Sequence, residues 1–201
     1  MKVKIYDFDG TIIKGDSIFV LLKFLRKKGK ISIFTRIGYI FKSVYAYLKE
    51  KNFEAYKNSW VAMAQRLSKE EMEEFVDILL RDYGYKNIIK DIKEDGYISI
   101  LCSSSIEDYL DIVGEKLSFD YVLGTRTGEG KVLGKNNSKK EKARRLEELF
   151  NREGILVSYD ESKAYTDRFD NDSWMCSFVK NKYLVNSIRK LDGFENIEGI
   201  V

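Results

Sequence analysis

The hydrophobic pattern opens with a short β-branched and aromatic run, Val3 to Tyr6, that ends abruptly in charge. Such a run reads as a buried parallel strand. From Asp16 to about Asp82 apolar residues recur at three and four. Ile18, Leu21, Leu22 and Leu25 form one stripe and Met72, Phe75, Val76 and Leu79 another. This predicts successive amphipathic helices, continuing over Ile31 to Lys51, Phe53 to Leu67 and Lys69 to Asp82. No second strand pattern appears before Tyr97. A helical block of that length is too large for an ordinary crossover and predicts an insertion.

Alternation then resumes, with a strand over Tyr97 to Cys102, a helix over Ser105 to Leu117 and a strand over Tyr121 to Leu123. The glycine-rich ribbon from Gly124 to Gly134 predicts a small hairpin, because no strand-to-helix context makes it a phosphate loop. Ser138 and Glu141 have capping-box spacing ahead of Leu146, Leu149 and Phe150, and Ser105 with Asp108 has the same signature. Further strands are expected at Lys163 to Thr166 and Tyr183 to Val185. The fold class that follows is α/β, a doubly wound parallel sheet with an inserted all-helical unit.

Composition narrows the chemistry. The chain has 201 residues, 44% hydrophobic and 33% charged, enough for one domain with a sizeable insertion. It has no histidine, so every histidine-based mechanism is excluded and Asp, Lys, Ser and Tyr remain as candidates. Cys102 and Cys176 match no metal spacing and read as buried thiols of a reducing compartment. Met-Lys-Val-Lys runs straight into the first strand without a leader pattern, and no uncharged apolar run approaches membrane-spanning length, so a cytoplasmic protein is expected. A net charge of +3 does not argue for nucleic acid, and none is expected as a partner.

The candidate chemistry sits at strand ends. Asp7 and Asp9, followed by Gly10 and Thr11, leave the carboxyl end of the first strand, the edge where open α/β sheets bind ligands. Asp-Gly is equally a hairpin dipeptide, so the motif alone leaves both readings open. Ser103 would lie on the same edge after the second strand. Asp167, in Tyr165-Thr166-Asp167-Arg168-Phe169-Asp170-Asn171-Asp172, would lie there after a later one.

Asp7-Phe8-Asp9-Gly10-Thr11-Ile12 resembles the first motif of the haloacid dehalogenase (HAD) superfamily. Ser103 to Leu110 and Gly134 to Leu146 resemble the second and third motifs of its subclass IB, the subgroup that includes phosphoserine phosphatase. Tyr165 to Asp172 resembles the fourth. The resemblance implies a Rossmannoid core over 1–13 and 85–201 and a helical C1-type cap over 14–84. It implies a phosphatase for a small phosphorylated substrate: Asp7 as nucleophile through an aspartyl-phosphate, and Asp9 as acid and base. Thr11, Ser103 and Lys142 would bind phosphate, with backbone amides near Gly10. Mg²⁺ would be held by Asp7, the Asp9 carbonyl and Asp167. Lys140 is the fallback for Lys142 if the register slips. Asp172 is the supporting acid, with Asp170 as its rival, and Asp16 stands where related enzymes begin substrate contacts. Dehalogenases need no leaving-group acid at the position of Asp9, so its presence favours phosphoester chemistry; a phosphotransferase using the same intermediate is the nearest alternative.

One charge pattern is left over. Between Lys23 and Lys51 stand nine basic residues, Lys23, Arg26, Lys27, Lys28, Lys30, Arg36, Lys42, Lys49 and Lys51, against Glu50 alone. They interleave with Phe24, Phe34, Tyr39, Phe41, Tyr45 and Tyr47. A solvated basic face over a packed aromatic one accounts for this. A surface for peripheral contact with anionic lipid, with a lipid phosphate as substrate, is the sharper reading.

Overall fold

A computed structural model describes residues 1–35, 37, 38, 41, 45, 53–94 and 96–201. Its centre is a parallel sheet in the order β3-β2-β1-β6-β7-β8. The strands are β1 (Val3–Tyr6), β2 (Ile98–Ile106), β3 (Tyr121–Thr125), β6 (Lys163–Thr166), β7 (Asn181–Val185) and β8 (Phe194–Ile197). A two-stranded ribbon, β4 (Thr127–Gly128) with β5 (Lys131–Val132), is the hairpin expected from the glycine pattern. Winding departs from β1 in both directions, so the end of β1 is the topological switch point where such sheets open a crevice.

Register delivers the candidate residues to that crevice. Tyr6 pairs with Leu101 of β2 and with Tyr165 of β6. Asp7 therefore leaves the sheet beside Cys102 and Thr166, with Ser103 and Asp167 one step farther. The Asp7 N–H donates to the Tyr165 carbonyl at 3.0 Å, which ties the exit of β1 to β6.

Successive side chains of a strand face opposite sides, and β1 serves two cores. Val3 and Ile5 are buried with Leu146, Leu149, Phe150, Met175 and Cys176. These come from α6 (Lys140–Glu153) and α7 (Phe169–Cys176). Tyr6 faces the other way, into a cluster containing Phe8, Phe75, Ile88 and Tyr109. On that face Tyr6, Tyr165 and Tyr183 form a stack across neighbouring strands, with ring centroids 4.6 and 4.9 Å apart. Lys4 is the exception to the apolar run: it is fully buried, and its ammonium donates to Asp91 at 2.9 Å and to Glu94.

The helical block between β1 and β2 contains α1 (Ser17–Lys27), α2 (Phe53–Ala64), α3 (Lys69–Tyr83) and α4 (Lys86–Ile92). Asp16 caps α1, accepting from the Ile18 N–H at 2.9 Å. Ser68 and Glu71 form a reciprocal capping box on α3, worth about 1 kcal/mol for the serine contact. Val20, Leu21, Phe75 and Leu79 bury their stripes in the same cluster as Tyr6 and Tyr109, so this block and one face of the sheet share a core. The chain enters and leaves it through adjacent backbone. Tyr85 N–H donates to the Ile12 carbonyl at 2.9 Å and Lys14 N–H to the Tyr83 carbonyl at 2.8 Å.

Two expected caps are absent. β2 runs through Ile106, so α5 (Glu107–Leu117) starts from Ile106 without a side-chain cap, and Ser105 turns elsewhere. Similarly α6 starts from Lys139 with a positive φ of 51°, and Ser138 offers only its carbonyl to Glu141 N–H. The helix expected over Ile31 to Lys51 falls largely outside the described residues, as do Arg36, Tyr39, Lys42, Tyr47, Lys49, Glu50 and Lys51.

Candidate active site

The loop after β1 folds back on itself. The Phe8 carbonyl accepts from the N–H groups of Thr11, Ile12 and Ile13 at 3.2, 2.9 and 3.2 Å. Gly10 lies at φ +75°, and a Cβ there would stand 2.3 Å from Asp167 Oδ2, so only glycine lets the two acidic loops close on each other. Thr11 is fully buried, and its hydroxyl has no hydrogen-bond partner among the described residues.

Lys142, on the first turn of α6, crosses under the sheet edge. Its Nζ donates to Asp7 Oδ1 at 2.7 Å and to Asp172 Oδ1 at 2.6 Å, and Asp172 Oδ2 accepts from the Thr166 hydroxyl at 2.6 Å. Asp7 Oδ2 takes no hydrogen bond from any described residue. Lys140 instead stands over the Trp174 ring, and Asp170 pairs with Arg189 at 3.1 Å on the surface. The structure thus gathers Lys142 and Asp172 with Asp7, and leaves Lys140 and Asp170 outside.

Asp9 is held on the opposite side of the loop. Its Oδ1 accepts from the Ser17 N–H and its Oδ2 from the Ser105 hydroxyl, each at 2.6 Å. The Ser17 hydroxyl in turn shares a 2.7 Å hydrogen bond with Tyr109. Ser103 is buried, its hydroxyl accepting from Ser105 N–H at 3.1 Å. Asn137, also buried, donates to the Ser103 carbonyl at 2.9 Å and to the Leu123 carbonyl at 2.6 Å. It fixes the end of β2 against β3.

These positions reshape the charges. Burial pushes the Asp7 carboxyl up to about 7, helped by Asp172 and Asp9 and opposed by Lys142. Asp9 rises to about 6 through burial and the neighbouring Asp16, against the hydrogen bonds from Ser105 and Ser17. Asp167 rises to about 7 through burial and the charges of Asp7 and Asp172, with Arg168 opposing. Burial works against the charge on Lys142, yet Asp172 and Asp7 together hold its pKa well above the ordinary lysine value.

Three carboxylates with raised pKa values around one loop favour a bound cation. Asp167 Oδ1 is buried without a hydrogen-bond partner among the described residues, as expected of an oxygen reserved for a ligand. Among the described residues no three His, Cys, Asp or Glu side chains converge as a ready-made cage. Two carboxylates with a backbone carbonyl fit an ion that keeps much of its water, which is the habit of Mg²⁺.

Sequence reasoning missed Ser105, Ser17, Tyr109, Asn137 and Lys57. Lys57 of α2 reaches from the helical block to the end of β2: its Nζ donates to the Ser104 carbonyl, the Thr125 hydroxyl and Asn136 Oδ1. Burial lowers its pKa to about 7. It lines a cavity of about 150 Å³ with Asp9, Asp16, Ile18, Trp60, Ser104 and Tyr109. On an amphipathic helix a lysine reads as solvated, so no local signal marked it; the run of three serines was the only hint for Ser105.

Comparison with known proteins places the chain in a family. The family described as haloacid dehalogenase-like hydrolase matches residues 5–170. A phosphoserine phosphatase of Methanocaldococcus jannaschii is 26% identical over 164 residues, covering 77% of this chain and 72% of that protein. One of Archaeoglobus fulgidus is 25% identical over 157 residues, covering 75% of this chain and 43% of its own length. The chain thus spans less than half of the archaeoglobal relative. A protein of unknown function from Bordetella pertussis Tohama I shares the fold with a TM-score of 0.85 at 15% identity, over 98% of this chain and 97% of that one. A phospho-aspartyl intermediate analogue of phosphoserine phosphatase aligns with a TM-score of 0.61 at 21% identity, over 92% and 87%.

Proposed function

We propose, from the premise that this chain belongs to the haloacid dehalogenase-like hydrolases, that it is a Mg²⁺-dependent phosphomonoester phosphatase acting through an aspartyl-phosphate on a small phosphorylated metabolite. The observation that carries the reading is the division of labour between two aspartates. Lys142 occupies one oxygen of Asp7 and leaves the other open, while Asp9 is held apart by Ser17 and Ser105.

Asp7 Oδ2 attacks phosphorus in line; the new P–O bond forms as the bond to the leaving oxygen breaks. Asp9, with a pKa raised to about 6, carries a proton to that oxygen and the alcohol departs. Asp9 then takes a proton from water as the water attacks the phosphorus of the aspartyl-phosphate, which releases inorganic phosphate and restores Asp7. The hydroxyls of Thr11 and Ser103, amides near Gly10 and the Lys142 ammonium stabilise the phosphoryl oxygens as charge shifts. Asp172 orients Lys142. Asp7, Asp167 and the Asp9 carbonyl would hold Mg²⁺, which would offset negative charge on the phosphoryl group.

The helical insertion acts as a cap. Its Lys57, with Asp16 and the apolar walls of Ile18, Trp60 and Tyr109, bounds a cavity that also reaches Asp9, and so receives the part of the substrate beyond the phosphate. At about 150 Å³ the cavity favours a small group. The two archaeal phosphoserine phosphatases among the relatives support the same class of ester.

The test is phosphate release from a panel of phosphorylated metabolites, with and without Mg²⁺ and without an added acceptor, run beside Asp7→Asn. Release should need the metal and disappear in the variant. Turnover that survives Asp7→Asn would overturn the nucleophile assignment, and turnover only with an alcohol acceptor would indicate a transferase.

A further inference from the structure

The basic, aromatic stretch leaves a surface that the proposed catalysis does not use. Ile33, Phe34, Ile37, Phe41 and Tyr45 are each helical and each exposed, Phe34 by 81% and Phe41 by 71%. On a helical projection of the sequence, at about 100° per residue, these positions fall within an arc of about 120°, the spacing of one stripe. They are five of the fifteen large exposed hydrophobics among the described residues. The others, such as Leu133, Leu156 and Ile188, are spread along the chain, as is normal for a soluble surface.

The exposed charges that lead into the stripe along the chain are basic. Lys23, Arg26 and Lys27 are exposed at the end of α1, a few residues before Ile33. Lys28 and Lys30 are already paired, with Glu74 and Glu71 of α3, whereas those three make no ion pair among the described residues. A second copy of the chain docking through the same patch about a two-fold axis would set this cluster against itself, which like charges resist. Nucleic acid would find cations and the rings of Phe34, Phe41 and Tyr45, but Ile33 and Ile37 offer a base neither stacking nor a hydrogen bond. An anionic bilayer meets both halves at once: phosphate and carboxylate headgroups face the cations, while aromatic and branched side chains enter the boundary between headgroup and acyl chain. No helix among the described residues is long and apolar enough to cross a membrane, so the contact would be peripheral.

We infer that the stripe of Ile33, Phe34, Ile37, Phe41 and Tyr45, flanked by Lys23, Arg26 and Lys27, docks this protein on the surface of anionic lipid bilayers. The inference stands apart from the phosphatase reading, because its readout is binding and not turnover.

The full chain is floated with phosphatidylcholine vesicles, alone and with about a third phosphatidylserine. Recovery with the anionic vesicles at low salt, and its loss in about 0.5 M salt, is expected. Each basic residue near such a surface contributes roughly fivefold, so Lys23→Gln, Arg26→Gln and Lys27→Gln together should weaken binding about a hundredfold. Phe34→Ser with Phe41→Ser should also abolish recovery. Leu156→Ser, at a residue 83% exposed elsewhere, should leave it intact. No recovery at low salt, recovery that ignores lipid charge, or a dimer in light scattering that the Phe34→Ser and Phe41→Ser pair dissolves would each overturn the inference.

Discussion

Asp167→Asn should make the metal-free protein more stable. In the native state the Asp167 carboxyl has a pKa of about 7, against a reference value of 3.8. Native protein therefore binds more protons than unfolded chain between those two values, and linkage makes stability fall as pH rises through that window. Three pK units at 1.36 kcal/mol each set a ceiling of about 4 kcal/mol, reached above pH 7. Relaxation and water at this partly exposed loop bring the gain nearer 1–2 kcal/mol. For a chain of this size that is a rise in Tm of roughly 3–6 °C. The assay is thermal unfolding in a chelating buffer across pH 4 to 8. The variant's advantage should be near zero at pH 4, grow through pH 5 and 6, and level off above 7. Adding Mg²⁺ should raise the Tm of the native chain and leave the variant almost unmoved. A variant no more stable than the native chain at pH 8 would refute the claim that the site stores carboxylate repulsion for a cation.

Three further outcomes follow from the same geometry. Lys142→Met leaves Asp7 and Asp172 buried without their cation, and should cost about 3–5 kcal/mol in urea unfolding at pH 8 as well as abolishing phosphate release. Asp172→Asn should cut kcat by at least about a hundredfold, whereas Asp170→Asn, which loses only an exposed pair with Arg189, should stay within about 0.5 kcal/mol of native stability and keep its activity. Ser105→Ala removes one of the two hydrogen bonds that aim Asp9; a loss of roughly tenfold in kcat with KM little changed, restored by Ser105→Thr, is expected in steady-state kinetics.

Much of this arrangement was legible before the structure. Period and β-branching marked β1, β6 and the helices after Asp16 because each buries a continuous stripe. Strand ends then placed Asp7, Ser103 and Asp167 on one edge. β8 was not legible, since Phe194-Glu195-Asn196-Ile197 is a short edge strand with two exposed polar residues and little pattern to read. Nor was α4, whose seven residues span barely two turns. The roles of Ser105 and Lys57 depend on partners far along the chain. Ser105 meets Asp9 across 96 positions, and Lys57 meets Thr125 across 68. Local rules assign such a serine to the nearest helix end, and here the continuation of β2 through Ile106 withdrew that option.

The paired backbone at the mouth of the helical block has a consequence for how such a chain can change over generations. Ile13 bridges Gly84, so the segments that lead in and out stand side by side as neighbouring lanes of one doorway. A Cβ at Gly84 would lie 2.3 Å from the Leu80 carbonyl, which keeps that threshold narrow. Between the two lanes the chain can be lengthened, shortened or re-surfaced without altering the register of a single strand, provided it keeps Ser17 at Asp9 and the stripes that share a core with Tyr6 and Tyr109. The sheet can thus keep one chemistry while the block behind the doorway is rewritten for a new substrate or a new address in the cell.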